Sequence, residues 1–160
     1  MWDSLVINTG PLIALASACG DWQVLVSCIR RPVVPTVVLQ EVRAGPRGSP
    51  GQEIRLPDEL EIASEVAIPH HLLVSLDAGE AAVIATALAL GIPGVAIDEL
   101  AGRRVARIHG LQVTGSLGIL VEHARRDATF SLDSAMQRMV DSGIHLSAAI
   151  MDHARQAARR

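Results

Sequence analysis

Three short, largely apolar runs constrain this chain most. Leu5-Val6-Ile7, Val95-Ala96-Ile97 and Leu111-Gln112-Val113 each stop at a polar residue and lead straight into a stretch of helical character. Apolar runs without alternation suit strands buried on both faces, as in a parallel sheet covered by helices. Strand and helix alternating along the chain predict an α/β fold, a three-layer α/β/α sandwich with a mainly parallel central sheet. Ligands of such sheets bind beyond the carboxyl ends of the strands. Asn8, Asp98 and Thr114 each follow one of the three runs, so all three are expected on that edge.

The remaining elements follow from punctuation. Pro11 belongs to the first turn of a helix that continues over Leu12–Ala18, and Asp21 can cap a second helix. Pro35-Thr36 opens a helix over Val37–Ala44, and the Gly- and Pro-rich stretch Gly45–Gly51 must be loop. Glu61–Ile68 has strand character. Asp77–Leu90 reads as a strong helix stopped by Gly91 and Pro93, Asp98-Glu99 start another that ends near His109-Gly110, and Gly115-Ser116 open a third to about Arg126. Helices over Leu132–Asp141 and Ser147–Arg159 close the chain. The 160 residues are expected to form one domain, 1–160, with the helices from about residue 131 packed on its core. Ala81–Ile97 is too short and too broken by glycine and proline to span a membrane. The first ten residues lack a basic, then apolar, leader, so a cytoplasmic protein with no membrane partner is expected.

Composition narrows the function. Aromatic residues make up 2% of the chain, which argues against nucleic-acid platforms built on stacked rings. A net charge of -3 provides no global basic field, although a local patch would suffice for RNA. Cys19 and Cys28 sit in apolar segments and read as buried thiols rather than a disulfide framework. None of the six histidines stands at a convincing metal-ligand spacing from another histidine or a cysteine, so all six are expected at the surface or at helix ends. Gly115-Ser116-Leu117-Gly118 at a helix start is a weak phosphate-binding signal.

The acids carry more information. On a helical wheel Glu41 falls within the arc of Val37, Val38 and Val42, where a carboxylate costs several kcal/mol unless paired or metal-bound. Pairing with a nearby arginine such as Arg43 is the bland alternative. Glu80 opens a helix that is apolar nearly all round. Asp77-Ala78-Gly79-Glu80 also resembles a capping box, a reading that coexists with an inward-pointing Glu80. Asp98 can cap the helix it precedes, and Glu99 with Arg103 forms an ordinary i, i+4 pair. If Glu41, Glu80 and Asp98 share one cleft they repel each other, and a hard divalent cation removes that repulsion. Oxygen ligands without histidine or cysteine suit Mg²⁺ or Mn²⁺, and such ions serve phosphodiester hydrolysis.

With these residues in place, the sequence resembles a PIN domain, the nuclease fold of VapC-type toxins, in a branch often encoded beside small antitoxin-like genes. The likeness rests on VINTGPLIALASA (6–18), VPTVVLQEV (34–42), LDAGEAAVIATALALG (76–91) and DELAGRRVARIHGLQVTGSLGIL (98–120), with a looser match over SLDSAMQRMVDSGIHLS (131–147). It implies a metal-dependent endoribonuclease, the toxin of a toxin–antitoxin pair, with Glu41, Glu80 and Asp98 as catalytic acids. Asn8, Glu41, Glu80, Asp98 and Glu99 would form the Mg²⁺ or Mn²⁺ site, with Thr114, Arg103 and Arg104 positioning RNA. A small antitoxin protein and a second copy of the chain are the implied partners. Asn8 departs from the pattern, which has Asp there. An amide adds no negative charge, so the alternative is a catalytically weakened PIN-like domain that binds RNA or protein. A purely structural domain whose acids cap helices is the third option.

Overall fold

The computed structural model describes residues 1–160. Five strands form one sheet: β1 (Trp2–Ile7), β2 (Ile29–Pro35), β3 (Glu61–Ala63), β4 (Gly94–Ala96) and β5 (Gln112–Thr114). Their order is β3-β2-β1-β4-β5, and every neighbouring pair is parallel. Nine helices flank the sheet and complete the three-layer α/β architecture: α1 (Thr9–Cys19), α2 (Gln23–Cys28), α3 (Thr36–Arg43), α4 (His70–Ser75), α5 (Ala78–Leu90), α6 (Leu100–Ile108), α7 (Ser116–Arg126), α8 (Leu132–Asp141) and α9 (Ala148–Ala158).

The chain leaves β1 for β2 on one side, and later returns to β4 on the other. The strand order therefore reverses at β1, and a crevice opens at the carboxyl ends of β1 and β4. The Asn8 N–H donates to the Ala96 carbonyl at 3.0 Å, and the Ile97 N–H to the Thr114 carbonyl at 3.0 Å, so the ladder continues to the lip of that crevice.

Two elements differ from the sequence expectation. β2 is an interior strand although it contains Pro32, which sequence rules confine to sheet edges or bulges. Its two arginines lie at the open amino end, where Arg31 makes a bidentate pair with Glu61 at 2.7 and 2.9 Å. α4 has no counterpart in that expectation; it begins at His70-His71, both exposed, with Pro69 at its N-cap position.

One apolar cluster runs through the fold, with Trp22 fully buried and its indole N–H donating to the Leu12 carbonyl at 2.9 Å. α5 packs against β1, β2 and β4, and is buried almost all round, as its composition demanded. α8 packs on α1 and α9 on α7. Arg138 donates to the Ala18 carbonyl at 2.6 Å, and Arg125 to the Ala157 carbonyl at 2.7 and 3.0 Å. Cys19 and Cys28 are free, and Cys19 is only half-buried. No helix is long and apolar enough to cross a membrane.

Candidate active site

Four chain segments meet at the crevice, the β1–α1 junction with Asn8 and three that bring acids: α3, the start of α5 and the β4–α6 junction. At the first, Asn8 occupies the N-cap position of α1, yet its side chain makes no capping bond. It is 4% exposed, and its Oδ1 has no hydrogen-bond partner. Next to it, the Thr9 hydroxyl donates to the Glu41 carboxylate at 2.5 Å, which ties α1 to α3.

Glu41 is not on a buried face. Val38 and Val42 are buried, Val37 is half-buried, and Glu41 is exposed at the rim of the crevice. The buried arc of α3 is narrower than the wheel suggested. Arg43 does not neutralise Glu41 either, because its guanidinium donates to the carbonyls of Gly51, Gln52 and Ile54 at 2.5–2.8 Å. Glu41 lies instead against the backbone of α5: a Cβ on Gly79 would stand 2.7 Å from its Oε2. Only glycine admits that approach.

At the start of α5, the Asp77 carboxylate accepts the Glu80 N–H at 2.7 Å and caps the helix. Glu80 does not complete the box by reaching back. Its side chain turns inward, is 4% exposed, and leaves Oε1 without a partner. Gly102 of α6 makes room for it, since a Cβ there would stand 2.5 Å from that oxygen. Carboxylate oxygens of Asp77, Glu80 and Glu99 all lie within 4.8 Å of one another. Burial, then contact with Glu99 and the charges of Asp77 and Glu99, push the Glu80 carboxyl up to about 7. Sequence reasoning had given Asp77 only a capping role. The capping box is the one signal that placed it there.

Asp98 does not cap the helix it precedes. Glu99 takes the N-cap position of α6 without a capping bond, and Asp98 reaches across to accept the Ser116 N–H of α7 at 2.8 Å. One donor of the α7 N-terminus is thereby consumed, which weakens the phosphate-binding reading of residues 115–118. Desolvation raises the Asp98 carboxyl, and Ser116 and Arg103 counteract it. Gly10 stands close to both Asp98 and Glu99, with a Cβ on it 3.8 Å from Asp98 and 3.9 Å from Glu99, so α1 begins between these acids.

Arg103 forms no ion pair with Glu99. Its Nη1 donates to the carbonyls of Ile97 at 2.8 Å and Thr114 at 3.0 Å, clamping the ends of β4 and β5 beside Asp98. Thr114 is buried in the same corner. Arg104 is exposed and, like Arg107, has no hydrogen-bond or ion-pair partner. Beyond Asp98, Arg103 and Thr114 a cleft of about 540 Å³ runs between α7 and α9, with His145 and His153 on its far wall.

The arrangement is therefore oxygen-rich, acidic and short of donors. Asn8 Oδ1 and Glu80 Oε1 are the only buried side-chain oxygens or nitrogens in the chain without a partner. Native folds rarely leave such acceptors unmet. Both stand at the crevice, Glu80 with Asp77 and Glu99 beside it and Asn8 at the end of β1, so the oxygen-only donor set fits a hard divalent cation such as Mg²⁺ or Mn²⁺. Capping alone accounts for Asp77 and Asp98, and leaves Glu41, Glu80 and Glu99 unexplained.

A family model described as a PIN domain matches residues 4–160. No curated protein and no solved structure matches the chain.

Proposed function

The chain belongs to the PIN-domain family, and from that premise we propose that it is a Mg²⁺- or Mn²⁺-dependent endoribonuclease, the cytoplasmic toxin of a toxin–antitoxin pair. The observation that carries this reading is the pair of orphaned oxygens, Asn8 Oδ1 and Glu80 Oε1, at a crevice whose acids make no salt bridge. Asn8, Glu41, Glu80, Asp98 and Glu99 would hold the ion. A bound divalent ion supplies an activated water near neutral pH and offsets charge developing on the phosphodiester.

The chain's own residues prepare the place for that chemistry. Thr9 fixes the Glu41 carboxylate through its hydroxyl, and Asp77 fixes the first turn of α5 from which Glu80 projects. The Ser116 N–H orients Asp98, and Arg103 locks the two strand ends on which Asp98 and Thr114 stand. Arg104, exposed and unpaired on α6 as Arg107 is, is a free cation available to an RNA phosphate. The partners in this reading are an RNA substrate, a small antitoxin protein and a second copy of the chain.

One observation favours a second reading, a PIN-like domain that binds RNA or protein with weakened turnover. The orphaned oxygen at the end of β1 belongs to an amide and contributes no charge. Cleavage assays on structured RNA with Mn²⁺ separate the two. Cleavage that is lost in Glu80→Gln supports the nuclease. RNA binding without cleavage at any metal concentration supports the second reading.

A further inference from the structure

His71 and His109 are 38 residues apart, near the start of α4 and at the C-cap of α6, and the fold brings the Nε2 edges of their imidazoles together. Their Nε2 atoms lie 3.3 Å apart, with ring centroids at 5.5 Å. The tautomer of His109 is fixed. Its Nδ1 lies 3.0 Å from the Val105 carbonyl, which can only accept, so Nδ1 carries the proton. The Nε2 of neutral His109 is then a bare lone pair directed at His71. Metal-binding histidines are oriented in this way, by a backbone carbonyl holding the second ring nitrogen.

We propose that His71 and His109 form a transition-metal site, distinct from the carboxylate cleft, that takes Zn²⁺, Cu²⁺ or Ni²⁺. Two imidazole nitrogens each about 2.0–2.1 Å from a tetrahedral metal stand roughly 3.3–3.4 Å from each other, and the observed separation matches. Imidazole selects these borderline metals, whereas the acids of the cleft suit Mg²⁺ and Mn²⁺. His71 is exposed and His109 half-buried, so the remaining coordination positions are open to water and the metal has a path in. His71 is the second residue of α4, which leads into Asp77 and Glu80. His109 is the C-cap of α6, whose Gly102 abuts Glu80. A metal bound by both rings would cross-link the two segments that support the acidic cluster.

The test uses the full-length chain without an affinity tag, stripped of metal and kept in millimolar Mg²⁺ so that the carboxylates are served. Zn²⁺ is titrated calorimetrically, and thermal melts are recorded with and without it. A Cu²⁺ spectrum is read for two coordinated nitrogens. The expected result is one equivalent of Zn²⁺ at micromolar concentration, a raised melting temperature and a two-nitrogen Cu²⁺ signal. Removing either ligand should weaken binding by at least about tenfold, the loss expected even for an outer-shell partner. His71→Ala and His109→Ala should therefore both lose binding, while His145→Ala and Glu80→Gln keep it. His71 is exposed, so His71→Ala decides the matter even if His109→Ala folds poorly. Affinity unchanged in His71→Ala, affinity lost instead in Glu80→Gln, or no binding below millimolar Zn²⁺ would overturn the proposal and leave the pair a plain N–H···N hydrogen bond.

Discussion

Arg43 and Glu41, two residues apart and on opposite sides of α3, reach into two regions built on opposite terms. Arg43 lies over the Trp22 ring at 5.5 Å and donates to three loop carbonyls, while Gln52 binds the carbonyls of Arg43 and Gly45 at 3.3 and 2.8 Å. That region latches a loop rich in glycine and proline onto the core, and no polar side-chain atom buried there lacks a partner. Glu41 looks instead into a crevice where acids crowd together and two buried oxygens have none. The fold can satisfy its polar groups, as the latch shows. Where it leaves them unsatisfied, stability is not what the arrangement serves.

The sharpest way to break the contrast is to damage the latch. Trp22→Ala removes a fully buried ring and its hydrogen bond, and should cost about 3–5 kcal/mol in denaturant unfolding. The Mn²⁺ affinity of the folded fraction should stay unchanged. A variant that loses metal affinity with its stability intact would show that the two regions are not independent.

The cleft should respond in the opposite sense, with pH as the lever. A carboxyl whose folded pKa lies above its unfolded value binds more protons in the folded state between the two values. Stability therefore falls as pH rises through that window. For Glu80 the window runs from the ordinary glutamate range to about 7. The apo protein should lose between about 1 and 3 kcal/mol across it, allowing for solvent at the mouth of the cleft. Asp98 shifts in the same direction. Glu80→Gln should flatten the profile and raise apo stability near pH 7.5, and saturating Mn²⁺ should abolish the decline in the parent chain. Chemical denaturation at a series of pH values reads all three.

Asp98 belongs to both regions in kind, since it both crowds the cleft and satisfies an α7 donor. Asp98→Ala abandons the Ser116 N–H and should cost about 0.5–2 kcal/mol, as loss of a helix cap does, with or without metal. Asp98→Asn keeps an acceptor there, so it should preserve apo stability while weakening Mn²⁺ binding. Thermal melts of both variants, with and without Mn²⁺, separate the structural from the electrostatic share.

Asn8→Asp should have the smallest effect, and it carries two signs. A new carboxylate among the acids should lower apo stability by about 1 kcal/mol or less, and tighten Mn²⁺ binding when the ion is present. Calorimetry on the two forms checks this. Unchanged metal affinity would mean that the Asn8 amide is a turn group rather than a ligand.

Much of this contrast was legible in the sequence. β1, β4 and β5 announced themselves as apolar runs with polar stops, and the helices of the second half began and ended within a few residues of their signals. β2 did not, because Pro32 and the pair Arg30-Arg31 hide an interior strand behind edge-strand chemistry. At the crevice, the inward turn of Glu80 was readable from an acid beginning an apolar helix. The exposure of Glu41 was not, because a helical wheel gives angles and no partners, and here the partner is Thr9, 32 residues earlier. The reach of Asp98 to α7 and the approach of His71 to His109 depend on how helices settle around the sheet, and no local pattern records that.

The central claim, that the acids of the crevice exist to hold a divalent cation, is tested most directly by calorimetric Mn²⁺ titration of the parent chain beside Glu80→Gln. The account predicts saturable binding by the parent, and a variant that folds more stably without metal yet has lost that binding. Equal Mn²⁺ affinity in the two proteins, or no binding by the parent up to millimolar Mn²⁺, would contradict it.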